Sequence, residues 1–291
     1  MVDIDQLIAE ERLPSSYHFT IDQWWRPLAM QIAHWHAEAG RPLIIGVNGA
    51  QGSGKSTLCR FLTQALLPDC GLSAITISLD DLYLPLAERK RLALDIHPLF
   101  RTRGVPGTHD VAAGMAILDR LVAGHDTMIP RFSKAKDDRL PPSVWARHVG
   151  RVDVILFEGW CVGARPQDEA SLALPVNTLE SQDDPTGKWR RHVNSILQTS
   201  YAPLFSRIDR LIMLKPPSFE DVLRNRLLQE HKLRMVEPNA AGIMDDAAVQ
   251  HFISHYERLT RHMFADLPSR ADIIFHLDAS QNVTTGDGLT N

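Results

Sequence analysis

Residues 49–57 read Gly49-Ala50-Gln51-Gly52-Ser53-Gly54-Lys55-Ser56-Thr57 and match the pattern G-x-x-x-x-G-K-[ST]. An apolar run precedes this match at residues 43–47, and a segment with helical periodicity follows it at residues 55–67. In this strand–loop–helix context, glycine-rich backbone amides and a helix N-terminus bind phosphates. The stretch therefore predicts a triphosphate-binding loop to which all nine residues contribute, with Lys55 on the β- and γ-phosphates and Ser56 on Mg²⁺.

Short apolar runs alternate with helical periods along the rest of the chain. Together with residues 43–47, the predicted strands are 74–79, 152–157, 211–214 and 273–277. The predicted helices between and around them include 110–123, 187–206, 218–235 and 245–266. This alternation predicts an α/β fold with a parallel five-stranded core sheet, covered on both faces by helices. Ligands of such sheets bind at the carboxyl ends of the strands.

The same patterns predict one large domain with additions. We expect residues 1–40 to form a helical segment packed on the core, residues 41–283 to form the P-loop domain, and residues 284–291 to be a flexible tail. Within the domain we assign two loops that would bind the acceptor of a phosphoryl group, at 83–109 and 125–150. We also assign an insertion at 163–187 and a lid helix at 218–245. Long connections in compact domains are usually functional or disordered, which favours the acceptor-loop interpretation.

Composition narrows the class of protein. The chain has 291 residues, of which 44% are hydrophobic, a formal net charge of −4 and an isoelectric point near 6.3. A general nucleic-acid binder would need a basic surface, so we expect no nucleic-acid partner. No apolar run approaches the roughly 20 residues that cross a bilayer, and the N-terminus lacks a signal-peptide pattern. Cys59, Cys70 and Cys161 are interpreted as reduced thiols, which predicts a cytoplasmic protein without membrane contact.

Acidic residues follow two of the predicted strands. We assign Asp80 as the base that orients the attacking hydroxyl of an acceptor and takes its proton, with Asp81 and Tyr83 beside it in the acceptor site. The alternative for Asp80 and Asp81 is that they only cap a helix or begin a turn. Glu158 is assigned to Mg²⁺, directly or through water, as a Walker-B acid is. The alternative is an apolar strand that happens to end in Glu158-Gly159.

Residues 101–110 read Arg-Thr-Arg-Gly-Val-Pro-Gly-Thr-His-Asp. We assign Arg103, Thr108 and His109 to an anionic, hydroxylated acceptor, because a guanidinium fork matches a carboxylate in two hydrogen bonds. The alternative is a surface loop in which Asp110 caps the helix that follows.

Further cations lie on two other segments. Arg131 and Lys134, in the segment Pro-Arg-Phe-Ser-Lys, are assigned to the same acceptor site. Arg226, on the helix after the fourth strand, is assigned a catalytic role, since a closing helix can bring an arginine to the charge that develops in the transition state. The alternatives are solvated side chains for Arg131 and Lys134, and ion pairs of Arg226 or Arg234 with Glu230 on the helix exterior.

These motifs together resemble a known family, the bacterial, yeast and plant relatives of D-glycerate 3-kinase, in the group of phosphoribulokinase, uridine kinase and pantothenate kinase. The resemblance spans about residues 20–283, and its motifs are Ala50–Lys55, Ser78–Tyr83, Arg103–Asp110, Pro130–Lys134, Phe157–Trp160 and Arg226–Glu230. Arg-Gly-x-x-Gly-Thr-His-Asp and Phe-Glu-Gly-Trp are the specific strings, because uridine and pantothenate kinases carry other residues there. The resemblance implies a P-loop three-layer α/β/α sandwich with helical lid and insertions. It also implies Mg-ATP-dependent phosphorylation of glycerate to 3-phosphoglycerate.

Two other functions fit part of the same pattern. A related P-loop kinase would act on another acceptor, such as a nucleoside, pantothenate or a sugar phosphate. A nucleotide-binding accessory ATPase would have no small-molecule acceptor, and the segments at Asp80 and Arg103–His109 disfavour it because a pure hydrolase needs no acceptor loop. We therefore expect an ATP- and Mg²⁺-dependent kinase whose substrate is a small hydroxy acid.

Overall fold

The computed structural model describes residues 2–236 and 244–289. Its strands, in chain order, are β1 (Leu43–Gly49), β2 (Ala74–Ser78), β3 (Thr127–Ile129), β4 (Phe132–Ser133), β5 (Asp138–Arg139), β6 (Ala146–His148), β7 (Val154–Gly159), β8 (Arg210–Lys215), β9 (Ile273–Leu277) and β10 (Val283–Asp287). The main sheet that these residues form has the order β10-β9-β8-β1-β7-β2. Its strands pair in parallel except for β10, which runs antiparallel to β9.

Helices surround this sheet. In chain order they are α1 (Ile4–Glu10), α2 (Tyr17–Thr20), α3 (Arg26–Ala39), α4 (Lys55–Phe61), α5 (Leu67–Asp69), α6 (Leu86–Asp95), α7 (Val111–Val122), α8 (Thr178–Asp183), α9 (Lys188–Ile196), α10 (Ala202–Phe205), α11 (Phe219–Val236) and α12 (Asp246–Asp266). Single π turns join α2 to α3, α4 to α5 and α9 to α10, so each of these pairs is one continuous helix. Short 3₁₀ turns lie at Leu79–Leu82, Pro98–Arg101, Pro142–Val144, Ala170–Leu172 and Leu267–Ser269.

The sheet separates two apolar layers. Along β7, Val154 and Leu156 pack into one buried cluster, whereas Ile155 and Phe157 pack into the other. This alternation is the two-residue period of a strand that is covered on both faces. The predicted three-layer α/β/α architecture is therefore confirmed.

All five predicted strands of the parallel core are present, and the sheet has one more strand than predicted. The expectation of a flexible tail from residue 284 is wrong for the residues up to Asp287, because they form β10. The His276 side chain bonds the Asp287 carboxylate at 2.8 Å, and the Thr284 hydroxyl donates to the His276 carbonyl at 3.1 Å. The strand reads Val-Thr-Thr-Gly-Asp, and a single apolar residue gives no periodicity to detect.

The two long connections contain more regular structure than the sequence suggested. Residues 83–109 include α6, and residues 125–150 include two small antiparallel pairs, β3 with β6 and β4 with β5. A buried arginine, Arg89, holds these segments together by donating to the carbonyls of Leu84 at 3.2 Å and Arg101 at 2.8 Å. Its guanidinium also pairs with the carboxylate of Asp137 at 3.0 Å. A charged residue in this role leaves no apolar pattern in the sequence.

Buried ion pairs fix the insertion at 163–187, which contains α8. Glu180 pairs with Arg258 of α12 at 2.7 Å, and Asp184 pairs with Arg190 of α9 at 3.1 Å. Three of these four side chains are at most 3% exposed and Arg258 is 9% exposed. Each arginine also donates to backbone carbonyls of the insertion. The insertion is therefore bound to the domain through charged groups.

The predicted lid helix begins as expected and lies against the phosphate-binding loop. A Cβ atom built on Gly52 would be 3.2 Å from Nε2 of Gln229, which lies on α11. The part of the predicted lid between residues 237 and 243 lies outside the described residues. Within the part of the chain that the structure describes, none of the helices has both the length and the apolar character needed to span a bilayer.

Candidate active site

The loop after β1 has the backbone geometry of an anion cradle. Gly52 and Gly54 have φ angles of +79° and +84°, in the left-handed region that favours glycine. The first helical hydrogen bond joins the Leu58 amide to the Gly54 carbonyl at 2.9 Å. The amides that precede Leu58 in α4 therefore have no acceptor within the helix and are available for a ligand.

Unsatisfied polar atoms in the same loop indicate that a ligand belongs there. Ser53 Oγ and Gln51 Oε1 are buried and have no hydrogen-bond partner among the described residues. Burying such atoms without a partner is costly, so a polar ligand is expected to complete their bonding. A Cβ atom at position 49 would lie 2.3 Å from Ser53 Oγ, so any residue other than glycine would displace that hydroxyl from its present position. These features fit the triphosphate of a nucleotide.

Glu158 lies at the end of β7, beside the start of α4. Its Oε1 accepts a hydrogen bond from Ser78 at 2.6 Å and lies 3.4 Å from the Ser56 hydroxyl. Its Oε2 is 3.9 Å from Lys55 Nζ and accepts no hydrogen bond from the described residues. The structure thus brings Lys55, Ser56 and Glu158 together as expected, and it adds Ser78. The pairing of Ser78 with Glu158 in neighbouring strands was not deduced from the sequence.

The residues beside Glu158 suit a magnesium ion that is shared with phosphate oxygens. In residues 2–236 and 244–289, no group of three or more His, Cys, Asp or Glu side chains is placed to hold a metal. Magnesium is usually bound by one or two protein ligands together with substrate phosphates and water. Ser56 and Glu158 fit that pattern, because a hydroxyl and a carboxylate face each other across 3.4 Å.

Asp80 lies in the 3₁₀ turn that follows β2, and both of its carboxylate oxygens have partners. Oδ1 accepts a hydrogen bond from the Tyr83 hydroxyl at 2.9 Å, and Oδ2 pairs with Lys134 Nζ at 2.8 Å. Burial alone would raise the pKa of Asp80, but the positive charges of Lys134 and Lys55 outweigh it and hold that pKa well below its usual value. Asp80 is therefore ionised at neutral pH, as a proton acceptor must be.

Asp81 and Arg131 bind each other, and their assignment to the acceptor site remains a prediction. Asp81 accepts hydrogen bonds from the Phe132 amide and from the Arg131 guanidinium, each at 3.0 Å. Asp81 thereby anchors the segment that carries Lys134, and Arg131 reaches solvent with 53% of its side chain exposed. The sequence could not show this, since the two segments are about 50 residues apart.

Arg103 is a mostly buried cation near the same segment. It bonds the Asp137 carboxylate, and its guanidinium carbon lies 5.6 Å from the ring centre of Phe132 and 5.9 Å from that of Phe252. Stacking and pairing hold its position, so little conformational entropy remains to be lost on binding an anion. Tyr83 is buried beside this region and stacks on His109 at 4.6 Å between ring centres.

Thr108 points into the protein, which corrects its assignment as an acceptor ligand, whereas His109 is buried with Nε2 unpartnered among the described residues, and its assignment remains a prediction. The Thr108 hydroxyl donates to the Val105 carbonyl at 2.7 Å and accepts from the Gly104 amide at 3.0 Å. His109 Nδ1 lies 2.6 Å from the Tyr201 hydroxyl. Burial lowers the pKa of His109 to about 3, so its ring is neutral and does not attract a carboxylate. The two side chains shape the loop from inside.

Two other predicted contacts have partners within the protein. Arg226 pairs with Glu230 at 2.6 Å, which is the alternative that the sequence left open, and its catalytic role remains a prediction. The Thr57 hydroxyl donates to Glu11 at 3.1 Å, so its side chain contacts the N-terminal segment rather than the phosphate cradle. Thr57 can therefore contribute its backbone amide to a nucleotide, but its hydroxyl is already bonded.

Gly104 offers a test of the acceptor loop. Its φ is +133°, and a Cβ atom at this position would lie 2.0 Å from the Tyr256 hydroxyl oxygen. We expect Gly104→Ala to lower the free energy of unfolding by about 1–3 kcal/mol, because the loop or α12 must shift. Gly150→Ala is the matched control, since Gly150 has φ +86° and nothing within 4 Å of its Cβ position. Urea denaturation compares the two, and equal losses would contradict the contact with Tyr256.

Comparison with known proteins gives several relatives but no match to a protein-family model. The chain is 35% identical over 231 residues to the uncharacterized kinase mug58 of Schizosaccharomyces pombe, a match that covers 75% of this chain and 79% of the relative. It is 29% identical over 244 residues to the chloroplastic D-glycerate 3-kinase of Arabidopsis thaliana, covering 79% of this chain and 50% of that protein. The solved structure of a D-glycerate 3-kinase from Cryptococcus neoformans superposes with a TM-score of 0.76 at 26% identity, covering 91% of this chain and 98% of that one.

Proposed function

Because the chain belongs to the D-glycerate 3-kinase-like family of P-loop kinases, we propose that it phosphorylates a hydroxyl of a small hydroxy acid, converting D-glycerate to 3-phosphoglycerate. Membership of this family makes the chain a phosphotransferase with an alcohol group as acceptor. The observation that supports a hydroxy acid is the ionised Asp80 carboxylate beside the phosphate-binding loop, with the cations Lys134 and Arg103 around it.

The nucleotide is ATP, as the kinase relatives imply, and its triphosphate would lie on the amides of residues 49–57 with Mg²⁺ on Ser56 and Glu158. Lys55 lies beside Glu158 at 3.9 Å, where its ammonium would neutralise charge on the β- and γ-phosphates. The bound metal supplies charge neutralisation between those phosphates. Arg226, on the lid helix α11, would add a second positive charge once it separates from Glu230 and binds the phosphate.

Asp80 is the proposed base. One carboxylate oxygen accepts the proton of the acceptor hydroxyl as the hydroxyl oxygen bonds to the γ-phosphorus. The bond between that phosphorus and the bridging oxygen breaks, and ADP leaves with the electron pair. The Tyr83 hydroxyl holds the other oxygen of Asp80 at 2.9 Å, which fixes the plane of the carboxylate during this step.

Arg103 is the proposed ligand of the acceptor's carboxylate. Its guanidinium carbon lies 5.6 Å and 5.9 Å from the ring centres of Phe132 and Phe252, and its side chain is 20% exposed. A planar guanidinium binds a carboxylate in two parallel hydrogen bonds, which a neutral alcohol cannot reproduce. We therefore expect hydroxy acids to be preferred over polyols.

The proposed setting is the cytoplasm, without a nucleic-acid partner. Cys59, Cys70 and Cys161 are free thiols, as expected in a reducing compartment. The net charge of −4 disfavours binding to a polyanion. We also propose that residues 1–40 stabilise the phosphate-binding helix, since Glu11 contacts both Thr57 and Arg60 of α4.

A screen of acceptors tests the proposed reaction. We expect release of ADP from ATP to be stimulated by D-glycerate, and not by uridine, pantothenate or ribulose 5-phosphate. Phosphorus NMR of the product identifies the phosphorylated carbon, and we expect a phosphate on C3. Stimulation by only one of the other three compounds would indicate that the protein is a related kinase with that compound as its acceptor. Hydrolysis of ATP that no metabolite changes would instead favour an accessory ATPase.

A further inference from the structure

Lys134 covers the carboxylate that the reaction needs. Its ammonium lies 2.8 Å from Oδ2 of Asp80, while Oδ1 is occupied by the Tyr83 hydroxyl at 2.9 Å. Each of these oxygens can accept a second hydrogen bond, but the ammonium on Oδ2 also holds the pKa of Asp80 well below its usual value and so weakens it as a base. Transfer of a proton from an acceptor hydroxyl to Asp80 is therefore favoured when that ammonium moves away.

Tyr83 is the partner that cannot move easily. It is 3% exposed, stacks on His109 at 4.6 Å and meets the Phe132 ring edge-on at 5.2 Å. Its backbone pairs with His109 in an isolated bridge. By contrast, the Lys134 side chain is 66% exposed and reaches Asp80 through four flexible methylene groups. Lys134 is therefore the partner that can leave.

The backbone that carries Lys134 is anchored on both sides. Asp81 binds the Phe132 amide at 3.0 Å, and Arg139 donates to the Tyr83 and Leu82 carbonyls, each at 3.1 Å. The Leu140 amide also bonds the Arg131 carbonyl at 2.8 Å, which closes the segment. Because the backbone is fixed, the ammonium can move away from Asp80 only as far as the Lys134 side chain extends. It therefore remains within reach of the acceptor site.

We propose that Lys134 is an acceptor-responsive cover of the base, whose ammonium exchanges the Asp80 carboxylate for the carboxylate of the incoming hydroxy acid. A hydroxy acid carries its negative charge within a few bonds of its hydroxyl. When the hydroxyl approaches Asp80, the acid's own carboxylate is thus close enough to take over the lysine. This inference rests on the proposed function and adds a specificity-determining role to one residue of that site.

The exchange explains a preference for anionic acceptors. A neutral polyol would separate Lys134 from Asp80 and offer no replacement charge, leaving the carboxylate of Asp80, which is only 30% exposed, without its ion pair. A hydroxy acid replaces one ion pair with another, so uncovering Asp80 costs little. Water is also neutral, so the cover suppresses wasteful hydrolysis of ATP while the acceptor is absent.

The cover can be removed by Lys134→Met, with Lys136→Met as the matched control. Lys136 is an exposed lysine on the same segment, two residues away. We expect Lys134→Met to raise acceptor-free hydrolysis of ATP by about tenfold, less than the 10²–10⁴ that a fully positioned base contributes, because water is not held by the site. Lys136→Met should match the wild type. Lys134→Arg keeps the charge and should keep hydrolysis low.

A double variant shows whether the gain acts through the base. In Asp80→Asn/Lys134→Met the extra hydrolysis should disappear, because the uncovered oxygen is no longer a proton acceptor. Persistence of the extra hydrolysis in the double variant would overturn the proposal. Unchanged hydrolysis in Lys134→Met would overturn it as well.

Acceptor selectivity gives a second readout. We expect the ratio of kcat/KM for D-glycerate to that for glycerol to fall by about tenfold or more in Lys134→Met, since the polyol no longer has to separate an ion pair. A ratio that stays at the wild-type value would overturn the proposal even if overall activity fell. If wild type does not use glycerate but Lys134→Met hydrolyses ATP faster, the cover stands and the proposed acceptor fails. If glycerate is used but neither readout changes, the proposed function stands and the cover fails.

Discussion

Replacing Lys55 by methionine is expected to lower kcat by about 10³-fold or more, in the range that follows removal of a charge acting on a transferring phosphoryl group. Methionine keeps much of the length and volume of lysine, so the loop should keep its shape while the ammonium beside Glu158 is lost. The loss should appear with every acceptor, because the charge acts on the nucleotide.

Single-turnover kinetics with saturating ATP measure this effect, and calorimetric titration with a non-hydrolysable ATP analogue measures nucleotide binding. Lys90→Met serves as the control, since Lys90 is an exposed lysine of α6. A Lys55→Met protein with a wild-type kcat would show that the Gly49–Thr57 loop does not hold the reacting phosphates. A similar loss of kcat in Lys90→Met would mean that the net charge of the protein, rather than the position of Lys55, causes the effect.

Replacing Asp80 by asparagine is expected to lower kcat for the acceptor by about 10²–10⁴-fold, the usual contribution of a positioned base. Asparagine fills the same space and still accepts the Tyr83 hydrogen bond, but it neither takes up a proton nor pairs with Lys134. Affinity for ATP should be nearly unchanged, because the phosphate cradle is built from other residues. The effect should therefore fall on kcat rather than on the KM for ATP.

Asp81→Asn is the informative companion to this variant. It removes the neighbouring negative charge and loosens the anchor of Phe132 and Arg131, but it leaves the base in place. We expect a smaller loss that appears mainly as a higher KM for the acceptor. If Asp81→Asn reduced kcat more than Asp80→Asn did, the assignment of the base to Asp80 would be wrong.

The pH dependence of the wild type follows from the environment of Asp80. Its folded-state pKa lies below the ordinary value because Lys134 and Lys55 outweigh the effect of burial. Protonation of Asp80 removes the base, so kcat/KM should fall only as the pH drops through this depressed pKa. Activity should therefore persist to a lower pH than an unperturbed aspartate would allow. A decline that begins above the ordinary pKa of aspartate, about 3.9, and that is absent from the Asp80→Asn protein would contradict this environment.

The fold was largely readable from the sequence because buried parallel strands are continuous apolar runs. Each of the five core strands contains such a run, as in Leu43–Val47 and Val154–Phe157. The elements that escaped prediction depend on polar contacts. β10 pairs through polar residues such as Asp287, and the connections around α6 are organised by the buried Arg89. Hydrophobic periodicity carries no information about either.

The candidate site could be located from the sequence, but the direction of its side chains could not. Glu158 and Asp80 were expected near Lys55 because parallel strands end at the same edge of a sheet. Thr108 and His109 were expected to face a ligand, yet the Thr108 hydroxyl bonds within its own loop and His109 Nδ1 contacts Tyr201. Polar residues in an irregular loop have no periodicity to separate inward from outward positions. Tyr201, the partner of His109, lies 92 residues away in the chain.

The strand order has a consequence for engineering. β7 and β2, which bring Glu158 and Asp80, lie on one side of β1, whereas β8 and β9 lie on the other. The residues proposed to determine acceptor specificity therefore lie at the carboxyl ends of the strands in one half of the sheet, and the phosphate-binding loop lies at its centre. A chimaera that exchanges residues 79–139 with a related kinase, together with the α12 residues Phe252 and Tyr256 that contact this segment, should change the acceptor and retain ATP affinity. The acceptor specificity can then be changed by replacing the half of the site at the carboxyl ends of β7 and β2, while the half at β8 and β9 is left intact.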